Sequence, residues 1–432
     1  MQETRLATQE LTSTHSLYLA RTFRYFPSLN YLQNSLSLFR LKGGIILIEV
    51  CEGTKNLTQG LSPMRVPVLS PEGQPLMPTK PSRARKWLKS EKAKVVHNDL
   101  GIFTVELVSE PSDTKTQPIS VGVDPGKKYT GIGVQSAKVT LWMAHLQLPF
   151  DTVKGRIEQR RMLRRGRRGR RINRKVPYAQ RAHRQVRFDN RRSKKVPPSI
   201  RANRQLELRL IRELTRIYPL TTAVWEVVVA RGDKGFSPVM VAQYWAINQL
   251  EKLLPVVRQQ GWQTSNLRQR IGLEKQKTRK GDAIPATHAV DGISLASSQF
   301  VRYRQLKGKQ GWWEGSVGIT PAPFAVIRRP PTCRRQLHLM VPSKGGIRRK
   351  YGGTRTRHGF RKGDYVRAEL AGRVYCGWVS GDTERQVSVS NADWKRLGQF
   401  TAKKVQLLQR STGLIVVPST GLSNLATRRG KI

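Results

Sequence analysis

The chain has 432 residues with 79 Lys plus Arg against 28 Asp plus Glu, a formal net charge of +51, and a basic excess on that scale is the electrostatic footprint of nucleic-acid binding. Cys51, Cys333 and Cys376 lie far apart with no CxxC spacing, which argues against a zinc site and against a disulfide framework. The longest apolar run, residues 44–50 (GIILIEV), is too short to span a bilayer, and 38% hydrophobic residues with nine Trp exclude a disordered tail. The composition predicts two to four compact units in a soluble protein of a reducing cytosol.

Residues 1–63 hold six Lys or Arg and four acids, so the remaining 369 residues carry +49 of the charge. That break predicts a separate appendage or translation from an upstream start, with Met64 as the natural first residue. From Arg65 a short apolar strand, a PEG turn and a Pro-bounded loop lead into a basic helix over residues 82–93. Residues 120–134 (SVGVDPGKKYTGIGV) alternate apolar positions on both sides of a Pro-Gly turn, the pattern of a β-hairpin, and residues 139–148 (VTLWMAHLQL) add a third strand to make a meander. Between Lys154 and Lys175, twelve of twenty-two residues are Lys or Arg against the single acid Glu158. Gly166, Gly169 and like-charge repulsion predict a helix there that is firm only with an anionic partner.

Residues 199–217 predict a helix with Ser199 as N-cap and Leu206, Leu210, Leu214 and Ile217 on one face. Residues 221–229 (TTAVWEVVV) predict a buried strand, and residues 239–260 and 286–300 two further helices. Residues 306–359, rich in Gly, Pro and Arg, predict a segment that orders on its partner. Short alternating stretches over residues 360–417 predict a small β-barrel.

Acids are scarce, so their positions are informative. Asp124 ends an apolar strand, Glu226 sits inside a buried one, and Asp291 lies in the second turn of an apolar helix. Each must meet a cation, either an arginine or a metal ion, because an unpaired buried carboxylate costs several kcal/mol. Three acids from a hairpin, a later strand and a following helix are the parts of a ribonuclease-H-like site, where two Mg²⁺ ions flank the scissile phosphate. His288, three residues before Asp291, shares its helical face and is a candidate general acid or base.

Residues 120–134, the arginine-rich segment, residues 224–229 and residues 288–296 (HAVDGISLA) resemble the split RuvC-type nuclease segments and bridge helix of the IscB/IsrB group, transposon-encoded relatives of the CRISPR effector nucleases. Residues 74–78 (QPLMP) resemble the PLMP motif of that group's amino-terminal domain, and residues 345–354 (GGIRRKYGGT) its basic carboxy-terminal region. The resemblance implies an α/β fold: a ribonuclease-H-like (RuvC) core split by an arginine-rich bridge helix, with a small PLMP domain and a basic, largely β carboxy-terminal region. It divides the chain into an atypical extension (1–63), PLMP domain (64–117), first RuvC segment (118–150), bridge helix and linker (151–198), second RuvC segment with connector (199–285), third RuvC segment (286–305), basic RNA-contacting segment (306–359) and β-barrel-like domain (360–432).

Carried over, Asp124, Glu226 and Asp291 would be ligands of Mg²⁺, with Mn²⁺ as a substitute, and His288 would join them as a catalytic residue. Arg160, Arg161, Arg164, Arg165, Arg167, Arg168, Arg170, Arg171, Arg174 and Lys175 would grip guide RNA and the RNA–DNA heteroduplex through phosphates, with Arg348, Arg349 and Lys350 as further contacts. The resemblance implies a long noncoding guide RNA, called omega RNA, and a double-stranded DNA target as partners of a monomeric protein, in a prokaryotic cytoplasm. The barrel would read a short flanking motif. Residues 227–287 contain no histidine, so the HNH nuclease that IscB inserts there is absent, the IsrB pattern. A single nuclease site implies a nick in the displaced, non-target strand. Trp312, Trp313 and Tyr351 are candidates for stacking on bases, whereas Trp378 fits a core position. Two other readings compete: a nonenzymatic RNA-binding protein, and a guide-independent RuvC-like resolvase of branched DNA.

Overall fold

The computed structural model describes residues 36–41, 44–49, 65–169, 175–180, 196–229, 237–273, 285–306, 309–331, 337–340, 348–351 and 354–419. Met64, Cys51, Cys333, Arg170, Arg171 and Arg174 lie outside the described residues, as do most of residues 1–63. For Arg167, Arg168, Arg348, Arg349, Lys350 and Tyr351 the description extends to the backbone.

A hairpin of β1 (Leu36–Leu41) and β2 (Gly44–Glu49) comes first. Next, β3 (Val66–Leu69), β4 (Pro75–Thr79), α1 (Pro81–Lys89), β5 (Ala93–Val96) and β6 (Thr104–Leu107) build a four-stranded sheet ordered β4-β3-β6-β5, with Val68, Leu76, Ala84 and Val105 in its core. The PLMP stretch is a strand here, not the expected loop. It occupies the sheet edge, where Pro75 and Pro78 cost no ladder donor. The basic helix ends at Lys89, short of the expected residue 93, because Glu91 turns the chain with φ 56 and Ala93 already belongs to β5.

The expected meander follows as β7 (Ile119–Pro125), β8 (Tyr129–Ser136) and β9 (Thr140–Gln147). The arginine segment, expected to be a helix firm only on its partner, is α2 (Phe150–Gly169). Half-buried Val153 and Ile157 lie one turn apart, α2 packs on the next helix, and the Arg156 guanidinium donates to the backbone carbonyl of Pro331. That next helix, α3 (Pro198–Thr215), begins with Pro198 in its first turn and Pro197 at the N-cap, so Ser199 does not cap it. Proline suits that position because its missing N–H is unpaired there anyway.

Strand β10 (Thr222–Val227) runs parallel to β7. The single helix expected over residues 239–260 is α4 (Gln243–Leu250) followed by strand β11 (Val256–Gln260), parallel to β10. Pro255 ends the helical run and the β-branched pair Val256–Val257 favours the strand. Helices α5 (Gly261–Arg270) and α6 (Pro285–Ser297) come next, then the hairpin of β12 (Arg302–Leu306) and β13 (Lys309–Glu314). Residues 306–359 also supply β14 (Phe324–Arg328), parallel to β9, and a hairpin of β15 (Leu337–Met340) and β16 (Arg348–Tyr351), where an order-on-binding segment was expected.

The carboxy-terminal unit is a five-stranded antiparallel sheet of β17 (Tyr365–Leu370), β18 (Arg373–Asp382), β19 (Gln386–Ser390), β20 (Arg396–Thr401) and β21 (Val405–Gln409), ordered β20-β19-β18-β17-β21 around Val366, Val379, Val389 and Phe400. The last strand, β22 (Ile415–Ser419), leaves that unit and pairs antiparallel with β14. The central sheet is therefore seven-stranded, ordered β11-β10-β7-β8-β9-β14-β22. Leu206, Leu210, Leu214, Ala246 and Leu250 from α3 and α4 pack with Val121, Val123 and Trp225 on one face. On the other, Ala289, Val290 and Ile293 of α6 pack with Met143 and Phe324. This is a mixed α/β, three-layer core.

Candidate active site

Glycines decide how closely α6 approaches the sheet. Gly122, Gly131 and Gly133 face it from β7 and β8, and a Cβ at these positions would stand 2.1 Å from the Gly292 carbonyl oxygen, 1.7 Å from the His288 carbonyl oxygen and 2.6 Å from the Ile293 nitrogen. A backbone packed that tightly excludes every other residue type at the contact. The Ser120 hydroxyl adds a hydrogen bond to the Ala296 carbonyl at 2.6 Å.

Asp124 alternates with Ser120 and Gly122 along β7, so it shares their face of the sheet. On β10 the register sets Trp225 against Val123, and the next step brings Glu226 beside Asp124 on that same face. Both acids lie at the carboxyl ends of parallel strands, the end at which open α/β sheets bind ligands. From α6, His288 Nδ1 stands 3.7 Å from Asp124 Oδ2. Asp291, one turn later, is 4% exposed and takes an ion pair from Arg268 Nη1 at 2.5 Å.

Helix α5 supplies the supports. Arg268 also donates to Ser265 Oγ at 3.2 Å, and the Thr264 hydroxyl donates to Glu226 Oε2 at 2.7 Å. Gly261 leaves room for that carboxylate: a Cβ on it would lie 3.1 Å from Glu226 Oε1. Thr264 and Arg268, four residues apart, thus hold two of the three acids from one face of α5. Sequence reasoning missed both, because α5 is a polar helix without an apolar stripe.

It also missed two rings. His145 of β9 lies opposite Gly131 and stacks on Tyr129 with centroids 5.0 Å apart, while His288 closes the group at 5.2 Å from His145 and 5.7 Å from Tyr129. Burial, followed by the charge of His288, depresses the His145 pKa to about 4, so it is neutral at pH 7. A histidine amid LWMAHLQL was a signal, but alone it is indistinguishable from a core histidine.

Beneath the hairpin, on the opposite face, Glu207 and Arg204 of α3 form a fully buried ion pair at 2.6 Å. The Thr130 hydroxyl donates to Glu207 at 2.6 Å, and the Arg204 guanidinium lies 5.6 Å from the Trp225 ring centroid. Burial pushes the Glu207 carboxyl pKa up, against the pull of Arg204.

The three acids offer the hard oxygen donors that Mg²⁺ takes. As they stand, no three Asp, Glu, His or Cys side chains among the described residues are grouped to hold one ion. The arginines of α2 form an exposed face: Arg160, Arg161, Arg164 and Arg165 all point to solvent, and Lys175 is exposed beyond the helix. Trp312 is exposed and Trp313 buried, while half-buried Trp378 meets Tyr365 at a tilt of 48° with centroids 4.9 Å apart. Among the described residues no helix is long and apolar enough to cross a membrane.

Residues 66–234 match the family model described as RRXRR protein, a family associated with IscB/IsrB-like nucleases. The matched range holds Asp124, Glu226 and the string Arg164-Arg165-Gly166-Arg167-Arg168, and it ends before α5 and α6. No curated protein matches the chain.

Proposed function

We propose that the protein is an RNA-guided DNA endonuclease that nicks the displaced strand of its target at a single carboxylate site. The observation that carries this reading is the placement of Asp124 and Glu226 on adjacent parallel strands, under a helix that brings His288 to Asp124 and carries Asp291. A three-strand meander extended on its first strand by two parallel strands supports the ribonuclease-H-like part of the reading. The RRXRR match and the exposed arginine face of α2 support nucleic acid as the partner.

In this reading Asp124, Glu226 and Asp291 would hold Mg²⁺, which would supply a water of lowered pKa and neutralise charge on the leaving oxygen. His288, oriented by the Tyr129 and His145 rings, moves a proton beside Asp124. Arg268 and Thr264 keep Asp291 and Glu226 in place when no metal is bound, and occupation of the site requires Arg268 to yield Oδ1 of Asp291. The arginines of α2 hold the guide RNA and its heteroduplex through phosphates, without reading sequence.

The same Arg268–Asp291 pair favours one other reading, a nonenzymatic RNA-binding protein in which the acids are structural ion pairs. A plasmid assay separates the two. Protein purified with its native RNA should convert supercoiled DNA to open circles in Mg²⁺ only when the plasmid matches the guide, and Asp124→Ala should abolish it. Intact supercoils despite RNA binding would establish the nonenzymatic reading.

A further inference from the structure

The two faces of α5 do different things. Thr264 and Arg268 face the carboxylates, while Trp262, Ser265, Asn266 and Gln269, at spacings of three and four, face a cleft of about 570 Å³. Tyr303 and Gln305 of β12 form the facing wall. Trp262 is 51% exposed, and its indole N–H is already donated to Gln260 Oε1 at 2.6 Å, so what it presents to the cleft is ring surface. Tyr303 meets it edge-on with centroids 5.5 Å apart and is backed by buried Trp313 at 5.1 Å. Gly311 makes that wall possible, since a Cβ there would lie 2.5 Å from the Tyr303 hydroxyl.

The side chains of the lining are uncharged: two aromatic rings, three amides and the hydroxyls of Ser265 and Tyr303. They give a phosphate no cation to pair with, and give a flat heteroaromatic ring both a stacking surface and edge donors and acceptors. Exposed Arg270 follows Gln269 at the end of α5, whereas Arg268 is held by Asp291 and Arg304 by Glu314. An uncharged lining of rings and amides suits a base.

We infer that this cleft takes an unpaired nucleobase of a single strand. A base held there lies one helix width, about 10 Å, from Thr264 and Arg268 on the other side of α5, so the cleft anchors the strand that runs on to the carboxylates. The identity of that strand rests on the nuclease reading; the chemistry of the cleft does not.

The test is a competition binding assay on the full chain, in EDTA and high salt so that cleavage is silent and phosphate attraction is weak. The probes are a thymidine oligomer, its abasic analogue of equal length, and a uridine oligomer. Wild type should prefer thymidine to the abasic strand about tenfold. Trp262→Ala should erase that preference without weakening the abasic strand, and Trp262→Phe should keep most of it. A base preference that Trp262→Ala removes supports the cleft with either sugar, the tighter of the two oligomers identifying the strand. Equal affinity for base-bearing and abasic strands in wild type, or a preference that survives Trp262→Ala, would overturn the inference. Because the assay reads no cleavage, loss of nuclease activity elsewhere leaves its outcome unchanged.

Discussion

Gly131 and His288 touch through backbone alone: a single Cβ on Gly131 would come within 1.7 Å of the His288 carbonyl oxygen. That approach sets the depth of α6 and hence the 3.7 Å separation of His288 from Asp124. Gly131→Ala must push the helix away, at an overpacking cost of about 1–3 kcal/mol or more, read as a lower urea midpoint with loss of cleavage. Gly166→Ala is the contrast. That glycine is exposed in α2 with nothing near its Cβ position, so alanine should raise stability by about 0.5–1 kcal/mol. Equal effects at the two positions would contradict the packing argument.

Much of this site was legible because it is local. The Pro-Gly turn between alternating strands gives the β7–β8 hairpin, the apolar run around Trp225 gives β10, and small residues around Asp291 give α6. What sequence periodicity could not give is long-range. Strand β14 joins β9 from 181 residues away, as Phe324 pairs with Met143, and β22 returns from beyond the five-stranded sheet. Both are short, and neither carries a pattern naming its neighbour. The role of α5 was equally hidden, since Thr264 and Arg268 are ordinary surface residues until the fold brings them to Glu226 and Asp291.

Burial of neutral His145 makes stability depend on pH. Its folded pKa of about 4 lies below the ordinary 6.5, so between these values the unfolded chain holds the extra proton. The contribution is complete above pH 6.5 and is lost as pH falls toward 4, with a size on the order of 3 kcal/mol. His145→Phe should flatten the urea midpoint over that range relative to wild type. An unchanged pH dependence would show that His145 does not titrate as its burial requires.

The Arg204–Glu207 pair predicts non-additivity. Arg204→Met alone leaves Glu207 buried with its main cation gone and should cost about 3–5 kcal/mol, whereas Arg204→Met with Glu207→Gln should recover most of that loss. Chemical denaturation of both variants checks it; additive losses would refute a coupled pair.

Arg268 competes with any cation for Asp291. Arg268→Ala should lower the Mg²⁺ concentration needed for half-maximal cleavage and introduce thermal stabilisation by Mg²⁺ that is weaker in wild type. Loss of stability with no response to Mg²⁺ would assign Arg268 and Asp291 to a structural ion pair.

Replacing Arg160, Arg161, Arg164 and Arg165 by Gln should weaken RNA binding and flatten its dependence on salt, by about 0.9 in logarithmic slope for each duplex phosphate that is no longer neutralised. These side chains are exposed on one helix, so folding should be unaffected. An unaltered slope would show that α2 does not grip phosphate.

The most direct measurement is strand-resolved cleavage by the RNA-loaded protein on a guide-matched duplex labelled on both strands, in Mg²⁺ and in EDTA, comparing wild type with Asp291→Asn. One cut is expected, in the non-target strand, requiring Mg²⁺ and lost in Asp291→Asn while RNA binding persists. Cleavage that survives in the mutant, or in EDTA, would contradict a metal-dependent site at Asp124, Glu226 and Asp291.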